Sequence, residues 1–327
     1  GGMGKVSIVS LGCPKNLVDS DNLLGRLRDD GFSYVIEPAD ADIILVNTCG
    51  FIEDAKKESI DEILKLKEIK ASGKRLIVFG CLAKRYKEEL VKEIPDIDAI
   101  WGVGEEDKIV EYCRGFEEGS RVRGQGASEK KELDPNYLPL DPSSYAYLKI
   151  AEGCNRGCTF CVIPSIRGPY GSIEPDKVLR KAEEHINAGA IELVLVAQDI
   201  GSYGREMEGY DLSSLLKDMA SISGDFRIRL LYLYPTAVND ELLSVIADED
   251  KICRYLDIPL QHSEDKILKA MGRGGTKESH RRMIMHIREA IPGITLRTTF
   301  IVGFPGETED DFKGLKDFVM EMRFERR

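Results

Sequence analysis

The chain has 327 residues, of which 42% are hydrophobic and 31% charged, a balance that excludes an intrinsically disordered protein. At about 150 residues per domain, this length predicts two domains. The formal net charge of −11 argues against a general nucleic-acid-binding protein, which would present excess basic charge. No apolar run reaches the ~18 residues that span a bilayer, and no signal-peptide core precedes the first domain. We therefore expect a cytoplasmic protein without membrane contact, in which cysteines serve more often as ligands than in disulfides.

The first 115 residues alternate short apolar runs with segments of helical periodicity. Strands are predicted at residues 5–11, 42–46, 75–79 and, more weakly, 99–103. Helices are predicted at residues 16–29, 53–70, 84–93 and 107–112. Apolar strands that alternate with amphipathic helices are typical of a parallel sheet covered on both faces. We therefore expect residues 3–115 to form an α/β domain with a Rossmann- or flavodoxin-like parallel sheet.

Residues 116–143 are rich in Gly, Ser, Pro and charge, and they are predicted to connect two domains, with a partly ordered loop of the first domain as the alternative. The alternation resumes in residues 144–327. Strands are predicted at 146–150, 192–197, 227–233, 255–258 and 295–302, and helices at 175–188, 212–221, 277–290 and 309–322. Five such units indicate a partial (β/α) TIM-type barrel, with its chemistry at the carboxyl ends of the strands. The chain ends where a sixth strand is due, so the barrel is expected to be incomplete.

Three cysteines lie close together directly after the predicted strand at 146–150. Cys154, Cys158 and Cys161, here the local set, form a C-x3-C-x2-C pattern. Zinc fingers use paired C-x2-C units and bacterial ferredoxins use C-x2-C-x2-C-x3-C, so neither spacing fits. Three thiolates on a [4Fe–4S] cluster would leave one iron open to chelate a small molecule. A structural zinc with a remote fourth ligand is the alternative.

Three other cysteines are far apart in sequence, yet each comes shortly after a predicted strand of the first domain. They are Cys13, Cys49 and Cys81, here the dispersed set. The carboxyl ends of neighbouring parallel strands share one edge of the sheet, about 4.8 Å apart, so these cysteines can converge on a second cluster. The alternative is that they are small buried apolar residues. Cys113 and Cys253 fit neither set and are expected to be buried.

With both sets in view, the chain resembles the radical S-adenosylmethionine methylthiotransferases over nearly its whole length. The motifs that carry this resemblance are LGCPKN (11–16), NTCGFI (47–52), GCLAKRY (80–86), EGCNRGCTFCVIP (152–164), VAQDIGSYG (196–204), DIPLQHSEDKILKAMGR (257–273) and RTTFIVGFPGETEDDF (297–312). The resemblance implies that the second domain is a radical S-adenosylmethionine barrel. It also implies two [4Fe–4S] clusters and S-adenosylmethionine as cofactors.

The resemblance implies a mechanism as well. The local set would hold the radical cluster, which cleaves S-adenosylmethionine to a radical that removes a hydrogen from the substrate. The dispersed set would hold an auxiliary cluster, from which a methylated sulfur joins the substrate carbon. A second S-adenosylmethionine would supply the methyl group. An electron donor such as a flavodoxin or ferredoxin would be a partner, and no catalytic residue beyond the cluster ligands is predicted.

Several residues in the predicted strands of the second domain, or in the loops after them, are candidates for binding S-adenosylmethionine. Glycines can bring backbone N–H groups close to the cofactor, and Gln side chains can hydrogen-bond a ribose or an ammonium group. For each candidate the alternative is a turn or an indirect contact, and for the arginine it is a surface salt bridge. The candidates are Phe160, Gln198, Gln261, Ser263, Arg297, Gly303 and Gly306.

Two branches of this family differ in substrate, and the sequence is more similar to the RimO-like branch. Cys13 is followed by Pro-Lys-Asn and Cys49 by Gly-Phe-Ile-Glu, whereas the tRNA-modifying branch has Gln-x-Asn and Ala-x-Arg-Glu patterns there. The RimO-like branch methylthiolates the C3 carbon of an aspartate in small-subunit ribosomal protein twelve. A basic ribosomal protein would also suit an acidic enzyme. A tRNA adenosine methylthiotransferase is the first alternative, and a non-catalytic iron–sulfur or zinc protein is the second.

The sequence departs from the family in one respect. Family members usually complete the barrel with a sixth strand and then carry a small β-barrel, the TRAM domain, which recognises the macromolecular substrate. Neither is expected in these 327 residues.

Overall fold

The computed structural model describes residues 3–70, 73–118 and 144–326, which divide into two compact units. The first unit comprises Gly1–Pro142 and Ser165–Arg167, and the second comprises Ser143–Pro164 and Gly168–Arg327, so far as these ranges are described. The predicted connection at 116–143 lies outside the described residues, apart from its first three, which end a helix. In the described residues, no helix is long and apolar enough to cross a bilayer.

The first unit is built of strands and helices that alternate along the chain. Its strands are β1 (Met3–Ser10), β2 (Phe32–Tyr34), β3 (Ile43–Thr48), β4 (Arg75–Gly80) and β5 (Ala99–Trp101). Its helices are α1 (Pro14–Asp29), α2 (Glu53–Ile69), α3 (Cys81–Arg85), α4 (Lys87–Glu93) and α5 (Glu106–Glu118). The strands are parallel in the order β2-β1-β3-β4-β5. This is the flavodoxin-like order, so the predicted sheet type is confirmed.

Alternating side chains of the sheet form a core on each face. In β3, Ile43 and Leu45 pack in the cluster that contains Leu23 of α1, whereas Ile44 and Val46 pack in the cluster that contains α2. Successive strand residues point to opposite faces, so an uninterrupted apolar strand requires helices on both sides. The carboxyl edge of the sheet is left between these helical layers, where doubly wound sheets bind their ligands.

The second unit has a second parallel sheet and a small hairpin. Its strands are β6 (Tyr145–Lys149), β7 (Ala151–Glu152), β8 (Gly171–Ser172), β9 (Glu192–Val196), β10 (Arg227–Leu230), β11 (Ile252–Asp257) and β12 (Thr295–Arg297). Its helices are α6 (Ile163–Arg167, whose last three residues belong to the first unit), α7 (Pro175–Asn187), α8 (Leu212–Ala220), α9 (Asp240–Asp248), α10 (Asp265–Ala270), α11 (Lys277–Ala290) and α12 (Glu309–Met322).

The large sheet of the second unit runs in the order β12-β11-β10-β9-β6, with every neighbouring pair parallel. Strands and helices alternate as in a (β/α) barrel, and Leu193, Ile228 and Leu256 lie in the core beneath α7, α8 and α9. After α12 the chain returns to the sheet, where Arg326 forms a parallel bridge with Arg297. This residue occupies the place beside β12 at which the sixth strand was expected.

The differences from the predicted elements are local. Strand β2 was missed because it is a three-residue edge strand, too short to show a period. The helix predicted at 84–93 is two helices, and the first begins at Cys81 itself. The strand predicted at 295–302 ends at Arg297, since the residues after it form a loop.

Candidate metal centres

The dispersed set lies along the carboxyl edge of the first sheet. Cys49 directly follows β3, Cys81 directly follows β4, and Cys13 comes three residues after β1 as the residue that precedes α1. These three strands are neighbours in the sheet. Because parallel strands end at the same edge, three positions that are 36 and 32 residues apart in sequence come together in space.

The three thiols are close enough to influence one another. Cys13 raises the pKa of both Cys49 and Cys81, although burial is the larger cause in each case and brings the pKa of Cys81 to about 11. Gly12 has a φ of +85°, and a Cβ atom there would lie 2.8 Å from Sγ of Cys49. A side chain at this position would therefore occupy the space that the thiols face, so the glycine keeps the site open.

Backbone contacts fix the position of Cys49. Its N–H donates to Oγ of Ser59 at 2.9 Å, and the same hydroxyl donates to the carbonyl oxygen of Cys49 at 2.9 Å. Ser59 lies on α2 and is fully buried. Sequence reasoning missed this serine, because a hydroxyl within an amphipathic helix gives no signal of its own.

Asn16 lies behind the dispersed set and is fully buried. Its Oδ1 is 4.0 Å from Sγ of Cys13 and 3.8 Å from Sγ of Cys81. Its Nδ2 donates to the carbonyl oxygens of Leu11 at 2.9 Å and Thr48 at 3.2 Å. Asn16 therefore ties the loops after β1 and β3 together at the point where the thiols meet.

A buried arginine completes this region of the first unit. Arg167 donates through Nη2 to Oδ1 of Asn16 at 2.7 Å and to Sγ of Cys81 at 3.6 Å, and through Nη1 to Oδ2 of Asp19 at 3.1 Å. Only 1% of its side chain is exposed. Its positive charge opposes the rise that burial causes in the pKa of Cys81. This contact could not be predicted from the sequence, since Arg167 is 86 residues from Cys81.

The local set lies on the loop 154–161, here the cysteine loop, between β7 and α6. The N–H of Cys154 donates to the carbonyl oxygen of Gly168 at 3.1 Å, and that of Cys161 donates to the carbonyl oxygen of Cys158 at 3.1 Å. Burial raises the pKa of Cys154 and of Cys161. Gly153 has a φ of +77°, and a Cβ atom there would lie 2.0 Å from the carbonyl oxygen of Pro169, so only glycine fits at the start of this loop.

Residues 270–274, here the bracing segment, pack against the cysteine loop. Thr159 donates from its N–H to the carbonyl oxygen of Met271 and from Oγ1 to that of Ala270, each at 3.0 Å. A Cβ atom on Gly272, whose φ is +66°, would lie 2.5 Å from the carbonyl oxygen of Gly157. The bracing segment belongs to a motif that was noted in the sequence, but its contact with the cysteine loop spans more than 100 residues and could not be read from it.

Two predicted glutamines lie beyond the carboxyl ends of second-unit strands. Gln198 follows β9 and donates through Nε2 to Oε1 of Glu152 at 2.8 Å. Gln261 follows β11 and has a φ of +74°, a strained conformation for a residue with a side chain. The Oε1 atoms of both are buried and have no hydrogen-bond partner among the described residues. Unsatisfied buried acceptors are costly, so these atoms suit a ligand that brings hydrogen-bond donors.

The other predicted contacts lie on neighbouring loops. Ser263 is fully buried and donates to Oε1 of Glu264 at 3.1 Å. Gly303 and Gly306 both have positive φ and are exposed on the loop after β12. Phe160 meets Phe304 of that loop edge-to-face, with ring centroids 6.5 Å apart. The structure therefore brings the predicted aromatic residue of the cysteine loop to the glycine-rich loop.

A buried histidine–glutamate contact supports the same loops and was missed in the sequence. Nδ1 of His262 accepts from the N–H of Glu264 at 3.0 Å. Nε2 lies 3.5 Å from Oε1 of Glu307, and neither side chain is more than 5% exposed. The other carboxylate oxygen of Glu307 accepts from the N–H of Phe304 at 3.0 Å. This pair links the loop after β11 to the loop after β12.

Arg297 forms a salt bridge rather than an open anion site. Its Nη1 lies 3.0 Å from Oδ2 of Asp257, whose side chain is fully buried.

Cys113 is fully buried in the core of the first unit, as expected, and burial raises its pKa to about 12. Cys253 is only half-buried, at the edge of a cleft lined by charged residues.

The donor sets fit iron–sulfur clusters in kind and position. Thiolates are the protein ligands of [4Fe–4S] clusters, and each binds a separate iron atom, so they are spread more widely than around one ion. Within the described parts of the chain, no three His, Cys, Asp or Glu side chains are near enough together to hold a single metal ion. Each set brings three thiols near one another: Cys13 affects the pKa of Cys49 and Cys81, and Cys158 affects the pKa of Cys154 and Cys161. Gly12 keeps the first of these sites open.

Two family models match the chain. One, described as the radical SAM superfamily, matches residues 148–319, and the other, described as uncharacterized protein family UPF0004, matches residues 5–102. The chain therefore belongs to the radical S-adenosylmethionine superfamily, through its second unit.

Solved structures of this class have the same fold. They include the methyltransferase TsrM from Kitasatospora setae, with cobalamin and a [4Fe–4S] cluster bound (TM-score 0.68, 16% identity, covering 98% of this chain and 73% of that one). The cobalamin-dependent enzyme OxsB is similar (TM-score 0.69, 15% identity, covering 97% and 52%).

Curated relatives narrow the class. A ribosomal protein uS12 methylthiotransferase RimO from Thermodesulfovibrio yellowstonii is 52% identical over 99% of this chain and 74% of its own length. A protein of the same name from Geotalea uraniireducens is 48% identical over 98% of this chain and 73% of its own length. The chain belongs to this family of radical S-adenosylmethionine methylthiotransferases. The resemblance drawn from the motifs is therefore confirmed.

Proposed function

We propose that this chain methylthiolates ribosomal protein uS12, at the C3 carbon of an aspartate. The observation that carries the proposal is the high identity, over 98% or more of the chain, with relatives named for that reaction. No observation favours a tRNA substrate. The net charge of −11 is compatible with a basic ribosomal protein as partner, because opposite charges favour encounter. Since ribosomal proteins are made and assembled in the cytoplasm, we place the reaction there.

We assign a cluster to each cysteine set. The local set would hold the radical cluster and the dispersed set the auxiliary cluster. A [4Fe–4S] cluster bound by three thiolates supplies an open iron that can chelate S-adenosylmethionine and an electron that can cleave it. The three thiols of each set and their position beyond the carboxyl ends of parallel strands support this assignment. Cys49, Cys81 and Cys154 are buried, and Cys13, Cys158 and Cys161 are partly exposed. An external donor, such as a flavodoxin or ferredoxin, would supply the electrons.

The chain's own residues would then bind and orient S-adenosylmethionine. The unpartnered Oε1 atoms of Gln198 and Gln261 can accept hydrogen bonds from an ammonium group or ribose hydroxyls. Gly303 and Gly306 leave their backbone N–H groups accessible on the neighbouring loop. Phe160 contributes an aromatic surface beside the cysteine loop. The buried His262–Glu307 contact would hold the loop after β11 and the loop after β12 at fixed positions relative to each other.

Mass spectrometry of the two candidate substrates tests the proposal. Anaerobically reconstituted protein is incubated with S-adenosylmethionine, a reductant and either 30S subunits or unmodified tRNA. We expect the uS12 aspartyl peptide to gain the mass of a methylthio group in exchange for hydrogen. Modification of tRNA adenosine without modification of uS12 would reject the proposed substrate. Absence of 5′-deoxyadenosine in both reactions would reject the enzymatic reading and favour a non-catalytic metalloprotein.

Iron and sulfide content tests the cofactor assignment separately. Two [4Fe–4S] clusters require about eight iron atoms per chain. About four would leave one cysteine set without a cluster, and zinc without iron would contradict both assignments.

A further inference from the structure

The bracing segment places an arginine on the local set. Arg273 donates through Nη1 to Sγ of Cys158 at 3.7 Å, and through Nη2 to the carbonyl oxygen of Pro259. Its own N–H donates to the carbonyl oxygen of Leu268 at 2.9 Å. Both the backbone and the guanidinium group are thus held, with one N–H directed at a proposed cluster ligand.

An aromatic ring supports this guanidinium from the side. The ring centroid of Tyr234 lies 4.2 Å from Cζ of Arg273 and 3.8 Å from Cζ of Arg156, so the ring contacts both arginines. Tyr234 is 8% exposed, and its hydroxyl accepts from the N–H of Gly274 at 3.2 Å. Cation–π contacts of this kind strengthen where water is excluded.

The two arginines differ in how their charge is balanced. Arg156 pairs with the buried carboxylate of Asp199, with Nη2 and Oδ2 2.9 Å apart. Across the described residues, no carboxylate lies within salt-bridge distance of Arg273. The positive charge of Arg273 is therefore directed at Cys158, and no carboxylate of the described residues neutralises it.

We propose that Arg273 is a positioning residue for the radical cluster: through Cys158 it makes the cluster easier to reduce. This inference rests on the cluster assignment proposed above. Reduction adds negative charge, which a fixed cation and an N–H···S hydrogen bond both stabilise. The planar guanidinium can donate to Cys158 and to Pro259 while it stacks on Tyr234. A lysine ammonium has neither a pair of N–H groups in this fixed arrangement nor a planar surface that can stack on a ring.

The test measures a reduction potential rather than turnover. The C13A/C49A/C81A variant of the full chain would carry the radical cluster alone, and its midpoint potential is measured by redox titration with electron paramagnetic resonance. In this background we expect R273Q to lower the equilibrium constant for reduction about tenfold, a shift of about 59 mV to more negative potential. R273K and Y234L should shift it less, and Y234F, which retains the ring, should match the parent.

R281Q is the matched control, because Arg281 pairs with Glu278 and Glu321 on the surface of the same unit. An unchanged potential in an R273Q protein that holds about four iron atoms would overturn the inference, as would an equal shift in R281Q. If R273Q retains no iron, Y234L decides, since it removes the support of Arg273 and leaves the arginine in place; an unchanged potential there overturns the inference. Failure of the C13A/C49A/C81A background itself to bind iron would instead refute the cluster assignment.

Discussion

Replacing Arg167 by Met removes a buried charge from the first unit. The side chain of Arg167 is 1% exposed and that of its partner Asp19 is 8% exposed. The substitution keeps most of the apolar stem, but Asp19 loses its guanidinium partner and Oδ1 of Asn16 loses a donor at 2.7 Å. Removing one partner from a buried ion pair costs ~3–5 kcal/mol, because a desolvated charge is left behind. We expect R167M to lower the free energy of unfolding by ~3–5 kcal/mol. This is a large part of the total free energy of unfolding of a typical domain, which is about 5–15 kcal/mol.

A surface pair in the same unit gives the matched comparison. Arg114 makes two hydrogen bonds to Asp30, at 2.6 and 2.8 Å, which is better geometry than that of the buried pair. Its side chain is 44% exposed, however, and water can replace the lost partner. Exposed ion pairs contribute about 0–1 kcal/mol, so R114M should cost no more than that. The D19L/R167M double variant should recover much of the stability, since it removes both charges of the buried pair.

Tryptophan fluorescence during urea unfolding provides the assay. The chain has one tryptophan, Trp101, which lies in β5 of the first unit, so its emission reports the unfolding of that unit. The measurement uses metal-free protein under reducing conditions, which separates the ion pair from any effect of a cluster. Equal losses in R167M and R114M would refute the argument that burial makes the Arg167 pair important.

Three further outcomes are expected. C81A should reduce the iron content of reconstituted protein from about eight to about four atoms per chain, because one cysteine set loses a ligand. G272A should reduce iron retention by the local set, since a Cβ atom would meet the Gly157 carbonyl oxygen at 2.5 Å and the φ of +66° costs about 1–2 kcal/mol with a side chain. Burial lowers the pKa of His280 to about 4 in the folded protein, whereas an unfolded chain binds its proton near pH 6.5. The contribution of His280 to stability should therefore be complete above pH 6.5 and fall by about 3 kcal/mol as the pH drops to 4. Burial also lowers the pKa of His185 to about 4, so a loss of similar size adds to it. Urea unfolding with circular dichroism measures the sum.

Each of these predictions has a control in the same part of the chain. C113A should retain all the iron, because Cys113 lies in the core of the first unit. G274A should be tolerated, since the nearest atom to its Cβ would be 3.8 Å away. H280L should remove about half of the fall in stability between pH 6.5 and 4, the remainder coming from His185; an unchanged fall would assign it to other groups. Iron loss in C113A equal to that in C81A would contradict the ligand assignment.

The alternation of strands and helices could be predicted from the sequence, because a parallel strand that is buried on both faces is a continuous apolar run, as in β3 and β4. The same logic predicted that Cys13, Cys49 and Cys81 meet, since parallel strands end at one edge. Strand β2 was not readable, because three residues carry no period. The helix start at Cys81 was also missed; it follows Gly80, whose φ of +99° turns the chain sharply out of β4.

The amino-acid sequence by itself determined the two cysteine sets, the sheet type and the family, because these depend on residue types at fixed positions along the chain. Only the tertiary structure showed which side chains surround the thiols. Arg167 lies 86 residues from Cys81, and Arg273 lies 115 residues from Cys158. An arginine on a helix or after one is ordinarily a solvated surface residue, and only packing can bury it against sulfur. The cysteines that could bind a cluster can thus be identified from residue types in the sequence. The charges that surround their thiols come from distant chain segments, which only folding brings together.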